Sequence, residues 1–502
     1  MANALDDDGW RHDGLDGLSC ILFSTNSAAG SSDDGGGKYS AAANEMRVLM
    51  IRKLFIALLI LAVQVLSGLD IVLGQGTPGM PAPPNPQSSI SRYYDPSTGM
   101  SADDAVVYAL SHNGELAAFR SEIEAVRGLV QQASLRPNPQ LDIERKEQIN
   151  GSDNDTMVGV MLPLELGGRR SARILVAQRE LELKESVLAD RERLLAAEVR
   201  AKFGEALGEL LKLGFTEDLL LTTDQGYRLV AARVTEGRTA PLEQNMVLVE
   251  VNRIRSIRES NQGKVEVAML ELRNLVGMRP EEPLRLRGDL DHLIEPVPSV
   301  TTAKDIALRE RADLRAARAV EALADARIGQ ARTEGRVDAS LTSKYELMNF
   351  GFPQQGFNSN GQLVPIQGRF HSLAVGVTIN LPVRNRNQGA VAAAVAEKAA
   401  ATQRREFAEL TVQREVASAL ARYQSAARAA EIYRVGVQGQ ANANLDVVRQ
   451  TYELGSKTLL DVIAEQRRFI ETQTGYIEAL VNTYQARVEI ERATASPNLI
   501  KR

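Results

Sequence analysis

Two stretches of this sequence are too long for a compact domain to contain. Residues 169–234 and 389–452 each run about 65 residues in helix-favouring composition, which at 1.5 Å per residue is roughly 100 Å of helix. Ala, Leu, Arg, Glu and Gln dominate from residue 101 onward, and these residues cost little in a helix. In the first stretch Ile174, Leu181, Leu188 and Leu195 recur every seven residues, which predicts a supercoiling seam. Residues 390–401 are mostly Ala, which allows close helix approach. Shorter helical stretches are expected at 101–134, 241–276, 302–332 and 459–493. Ser101 with Asp103 and Asp104, and Thr302 with Asp305, read as helix starts. Taken alone, this pattern fits a soluble coiled-coil scaffold.

The segments between the helices argue against a scaffold. Residues 338–347 and 372–381 alternate polar and apolar, 140–144 do so briefly, and 157–164 do so poorly. Such segments predict strands with one greasy face. At about ten residues they suit tilted bilayer-spanning strands, with apolar side chains to lipid and polar ones to a lumen. The polar segments 149–156 and 349–368 are expected as hairpin loops. Four strands cannot close a barrel, and an open edge in lipid leaves backbone groups unpaired. About eight strands is the minimum for such barrels, so other copies of the chain must complete the sheet.

Composition removes other classes. A formal net charge of -5 provides no strong basic field for nucleic acid. The single cysteine, Cys20, allows no disulfide within the chain. Arg47, Arg52 and Lys53 precede the apolar run 54–66, which small residues follow, the order of a secretory signal peptide. A run of about 13 residues, with Asp70 after it, is short for a membrane-spanning anchor. The expected divisions are a leader at 1–45 ahead of the signal peptide at 46–74, an extended linker at 75–100, a first repeat at 101–278, a joining segment at 279–301, a second repeat at 302–494 and a tail at 495–502.

The two halves repeat. Ala109-Leu110 and Leu116 recur as Ala307-Leu308 and Leu314, an offset of 198 (116 to 314). Leu162-Pro163-Leu164 recurs as Leu381-Pro382-Val383, and Gly237 with Leu242-Glu243 recurs as Gly455 with Leu460-Asp461. Each half thus reads helix, strand, strand, long helix, turn, helix.

Several pieces in this order resemble the TolC-like outer-membrane efflux protein family. They are Ala109-Leu110 with Asn113 and Leu116, then Pro137-Asn138-Pro139-Gln140-Leu141, then Pro163-Leu164-Glu165-Leu166-Gly167-Gly168-Arg169-Arg170. Pro382-Val383-Arg384-Asn385-Arg386-Asn387-Gln388-Gly389 and Tyr452-Glu453-Leu454-Gly455 with Leu459-Leu460-Asp461 complete the set. The Gly-Gly-Arg-Arg and Arg-Asn-Gln-Gly elements look most like the heavy-metal, CzcC-like branch. The resemblance covers residues 101–494. It implies a mainly α fold with a membrane β-barrel portion: a homotrimer whose four strands per chain make one 12-stranded barrel above a periplasmic helical tunnel. It also implies outer-membrane lipid around the barrel, a periplasmic adaptor protein, and an inner-membrane pump of the resistance-nodulation-division type. Many relatives carry a lipidated cysteine at the mature amino terminus; no cysteine stands there in this sequence.

The expected function is passive conduction in a tripartite efflux system, with heavy-metal cations as cargo. Drugs or secreted polypeptide are the alternatives within transport. The resemblance puts the turns at Gly237 and Gly455 at the periplasmic tip, where relatives dock their adaptor. Both Glu243 and Asp461 lie six residues beyond their tip glycine. A trimer would gather three copies of each carboxylate near the pore axis, with Lys457 and Tyr452 helping to hold a periplasmic gate closed. The bland role for both acids is to favour helix amino termini.

No enzyme chemistry is expected. Gly74-Gln75-Gly76-Thr77-Pro78-Gly79 matches a dinucleotide pattern but opens no helix. His12, His112, His292 and His371 lack metal-ligand spacing, so neither cofactor nor metal is expected within one chain. No Gly-x-Ser-x-Gly nucleophile signature occurs.

Overall fold

The computed structural model describes residues 89–291 and 297–495. All belong to one unit, Asn85–Arg502. The signal-like segment, Cys20, His12, His292 and the 74–79 pattern lie outside the described residues.

The helical order is α1 (Ala102–His112), α2 (Gly114–Ser134), α3 (Arg169–Thr235), α4 (Pro241–Val276), α5 (Val300–Glu310), α6 (Ala312–Glu334), α7 (Gln388–Glu431), α8 (Gln438–Glu453) and α9 (Leu459–Thr494). The long helix α3 runs 67 residues without a break, about 100 Å. A wide helical turn, Ile432–Val437, joins α7 to α8. The heptad residues Ile174, Leu181, Leu188 and Leu195 are half-buried along α3.

Two expected helices are each divided in two. The first breaks at Asn113 and the second at Arg311, both in extended backbone. These positions are 198 residues apart (113 to 311), the offset of the repeat. Asn113 accepts from the amides of Glu115 and Leu116, which restarts the helix. Helix α1 begins at Ser101 with a capping box to Asp104. The second repeat starts earlier than expected: the cap is Ser299, which accepts from the Thr302 amide, so Thr302 lies inside α5.

The strands are β1 (Gln140–Glu147), β2 (Asn154–Pro163), β3 (Asp338–Phe357) and β4 (Leu363–Asn380), in one antiparallel sheet of order β1-β2-β3-β4. The expected loop at 349–368 is a correction. Strand pairing continues through Phe350↔Gly368 and, past a bulge, to Phe357↔Leu363. Only residues 358–362 turn, with Gly361 in the left-handed region. Likewise 154–156 belong to β2, so the first hairpin turn is shorter than 149–156. Gln and Asn suggested a loop at 349–368, but Phe350, Phe352, Phe357 and Ile366 supply the β-forming residues that won.

Buried residues fall in three groups. The largest packs α1, the middle of α3, the end of α4 and α9 around Phe203, Leu213, Met269 and Leu272, together with Leu286 and Leu290 from the joining segment. A second joins α5, α6, α7 and α9 through Ala307, Leu314, Val416, Leu420 and Ile490. A third, Val230, Val247, Val251 and Leu459, holds the two helical hairpins together near their turns.

Candidate functional site: a two-faced sheet and a hairpin tip

Register assigns the two faces of the sheet. Ile143 pairs with Val158, Val158 with Tyr345, and Tyr345 with Leu373. Side chains alternate along each strand, so these residues share one face with Leu141, Val160, Leu162, Leu341, Val375 and Val377. They are exposed, Leu373 at 73% and Val375 at 71%. The opposite face carries Asp142, Glu144, Lys146, Lys344, Glu346 and Thr342. An apolar face of this extent open to water would be anomalous, and lipid is the solvent that suits it. Among the described residues, β1 pairs only with β2 and β4 only with β3, so both outer edges carry unpaired backbone groups. No described helix is long and apolar enough to cross a membrane.

At the other end, each hairpin turns on a glycine. Gly237 and Gly455 have φ of 71° and 78°, a region that favours glycine. The two turns share one hydrogen-bond pattern. The Gly237 amide donates to Val234 O at 3.0 Å and Arg238 to Arg233 O at 2.9 Å. The Gly455 amide donates to Tyr452 O at 2.9 Å and Ser456 to Thr451 O at 2.9 Å. A Cβ at either glycine would meet nothing within 4 Å, so both turns face open space.

The symmetric acids have unlike surroundings. Glu243 Oε2 accepts from the Tyr452 hydroxyl at 2.9 Å, a bond between the two hairpins. Burial first, and then this bond to a carboxylate, push the Tyr452 hydroxyl pKa up to about 12. Asp461 instead accepts from the amide and hydroxyl of Thr458, both at 2.9 Å and both at Oδ2, completing the capping box of α9. The Thr458 bonds hold its carboxyl below the usual range, and Lys457 adds a smaller pull. Lys457 is exposed and forms no ion pair with Asp461 among the described residues. One chain therefore unites Glu243 with Tyr452 and leaves Lys457 apart.

A second inter-hairpin contact goes beyond the sequence expectations. Glu250 on α4 is 2% exposed, accepting from Arg253 Nε at 2.9 Å and from Arg467 Nη2 at 3.1 Å. Burial would raise its pKa; the two guanidiniums outweigh that and hold the carboxyl below its usual range. Nearby, buried Gln466 donates to Thr223 Oγ1 at 2.7 Å. Glu250 follows Glu243 by seven residues, so the two share a helix face, the only available signal.

His112 stacks on Tyr108 at 3.9 Å, and His371 shares a hydrogen bond with Tyr345 at 2.6 Å on the sheet. Among the described residues no group of three His, Cys, Asp or Glu is placed to hold a metal ion.

A sheet greasy on one face and charged on the other, set on helices about 100 Å long, defines a membrane-inserted channel protomer. The model of the outer membrane efflux protein family matches residues 105–278 and 304–496, and the chain belongs to that family, as an outer-membrane efflux channel. It is similar to the cobalt-zinc-cadmium resistance protein CzcC of Cupriavidus metallidurans, 24% identical over 395 residues, covering 78% of this chain and 89% of the relative. It is similar also to the outer membrane protein OprJ of Pseudomonas aeruginosa, 25% identical, covering 77% of this chain and 82% of the relative. The fold resembles crystal structures of CusC (TM-score 0.65, 20% identity, covering 84% of this chain and 98% of that one). It also resembles VceC of Vibrio cholerae (TM-score 0.62, 16% identity, covering 79% and 96%).

Proposed function

We propose that three copies of this chain form a passive conduit that carries heavy-metal cations, delivered by an inner-membrane pump of the resistance-nodulation-division type through a periplasmic adaptor, to the exterior. The two open sheet edges carry this reading. Three four-stranded sheets joined edge to edge give 12 strands, and closure pairs every edge that lipid would leave unsatisfied. The charged face then lines the lumen. The adaptor docks at the tip turns of Gly237 and Gly455, which are exposed. The periplasmic gate is built from Tyr452 and Glu243 within a chain and from Lys457 and Asp461 between chains, since Lys457 has no partner on its own chain's Asp461 and Asp461 Oδ1 is left over from the cap. The metal cargo is supported by the similarity to a protein named for cobalt, zinc and cadmium resistance.

The test is export in a host lacking its own outer-membrane channels, supplied with this chain and with a metal or a drug pump plus adaptor. Restored resistance to cobalt, zinc or cadmium, lost in Gly237→Trp and Gly455→Trp channels that still reach the membrane, is the expected result. Restored drug resistance alone overturns the metal assignment. Unchanged adaptor crosslinking in both tryptophan variants overturns the docking role.

A further inference from the structure

The apolar stripe on β4 continues beyond the strand. Leu373, Val375, Val377 and Ile379 are followed, at the same period of two, by Leu381 and Val383, which are 63% and 71% exposed. From Leu373 to the strand's end at Asn380 the chain advances about 23 Å, and a tight turn at Pro382 follows, in which the Val383 amide donates to Leu381 O at 2.9 Å. Beyond it stand Arg384 and Arg386, both exposed. Neither guanidinium has a hydrogen bond or ion pair among the described residues; only their backbone groups are engaged, with Gln388. Neighbouring arginines are occupied. Arg336 donates to Gly167 O at 2.9 Å, Arg169 pairs with Asp338 at 3.1 Å, and Arg170 donates to Ser134 O at 2.7 Å.

Leu381 and Val383 form one wall of an open groove of about 720 Å³, with Leu166 and Val337 also lining it and Arg386 at its margin. All four apolar residues are exposed. A Cβ on Gly335 would lie 2.1 Å from the Arg386 carbonyl oxygen, so the arginine-bearing turn is seated tightly against the end of α6.

We propose that this groove binds one anionic phospholipid of the periplasmic leaflet, with an acyl chain along Leu381 and Val383 and the phosphate at Arg384 and Arg386. The proposal rests on the reading that the helices extend into the periplasm, which puts this end of the sheet at the inner leaflet. Two observations select the occupant. The groove continues the face that meets lipid, so what fills it is aliphatic. The stripe ends on two uncompensated guanidiniums, whose planar forks match phosphate oxygens and favour a headgroup of net negative charge over a zwitterionic one.

The experiment is native mass spectrometry of the detergent-purified full channel, delipidated and then incubated with phosphatidylglycerol or phosphatidylethanolamine of matched chains. The parent is expected to retain phosphatidylglycerol several-fold over phosphatidylethanolamine. Arg384→Gln with Arg386→Gln should bring the two lipids near parity while the oligomer mass stays unchanged, and Arg384→Lys with Arg386→Lys should keep the preference. Equal retention by the parent, or an undiminished preference in the glutamine variant, overturns the site. Membrane fractionation of the parent separates the failures. A chain found in the outer membrane without lipid preference loses only this proposal, whereas one absent from that membrane loses the channel reading.

Discussion

Arg467 of one helical hairpin reaches Glu250 of the other at 3.1 Å, and Glu250 is 2% exposed. The contact lies above the Tyr452–Glu243 bond, so two polar ties hold the hairpins at different heights. Removing one partner of a buried ion pair costs more than the pair contributes, because the other charge stays buried: about 3–5 kcal/mol. Arg467 is half exposed, so its loss should cost less than that, and it should loosen the tip without unfolding the chain. Arg467→Gln is expected to raise basal conductance in planar bilayers. A conductance equal to the parent's would limit the contact to packing.

The same pair sets an acid limit. The Glu250 carboxyl is held below its unfolded value of about 4.3. Its contribution is therefore present above pH ~4.3 and is lost as pH falls through the lowered folded value. Basal conductance of the parent should rise on acidification below about pH 4, and Glu250→Gln should remove that dependence. A parent that conducts alike at pH 3 and pH 7 would contradict it.

At the outermost tie the direction reverses. The Tyr452 pKa is raised to about 12 from an unfolded value of about 10. The bond to Glu243 thus contributes fully below pH ~10 and is lost as pH rises through about 12. Tyr452→Phe removes a hydrogen bond to a carboxylate, about 1.5–3 kcal/mol before discounting for its partial exposure. Tyr452→Phe with Lys457→Ala should raise conductance at neutral pH. Glu243→Ala with Asp461→Ala should lower cation selectivity. Parent-like currents and selectivity in both double variants would leave these residues structural.

Much of this architecture was legible because it is periodic. Helix-favouring composition and punctuation gave the long helices, seven-residue spacing gave the seam in the first of them, and alternation at 338–347 and 372–381 gave the greasy strands. The offset of 198 even aligns the breaks at Asn113 and Arg311, yet neither break was foreseen. Asn113 entered only as part of the resemblance, inside an expected helix, whereas its side chain caps two amides. The strand pairing within 349–368 was read as loop because its Gln, Gly and Asn content outweighed Phe350, Phe352 and Ile366. At the tip, spacing from the glycines paired Glu243 with Asp461, but spacing carries no information on partners. Only packing distinguishes the acid bonded across hairpins from the acid that caps its own helix, and only packing shows that Glu250 is buried.

The two faces of the sheet predict opposite tolerances. Val375→Arg puts a charge on the lipid face and should cost about 2–4 kcal/mol near the bilayer midplane. Lys344→Gln, on the charged face, should insert normally and alter only ion selectivity. Heat-resistant oligomer on a gel after outer-membrane extraction gives the readout. Normal assembly of Val375→Arg, or failure of Lys344→Gln, would reverse the assignment of faces.

Arg311 offers the sharpest stability test. It stands at the break between α5 and α6, 3% exposed. Its guanidinium donates to Asp313 at 2.6 Å, to Glu415 of α7 at 2.7 Å and to the Ala493 carbonyl of α9 at 3.2 Å. Burial would push the Asp313 carboxyl up, but Arg311 outweighs that and holds it below its usual range. One side chain thus satisfies groups on three helices beside the core of Leu314, Val416 and Leu420. Arg311→Met preserves length and apolar stem but leaves two carboxylates and a carbonyl without their partner, a loss of about 3–5 kcal/mol by analogy with broken buried pairs. The equivalent Asn113→Ala loses a cap, about 1 kcal/mol, together with its 3.1 Å bond to the Leu275 carbonyl. Arg311→Met should therefore lower the thermal midpoint of the purified channel more than Asn113→Ala. Acid should narrow the gap, since Asp313 contributes only above its lowered folded value. If Arg311→Met melts with the parent, the buried cluster is neutral to stability, and its role is to fix the angle between α5 and α6.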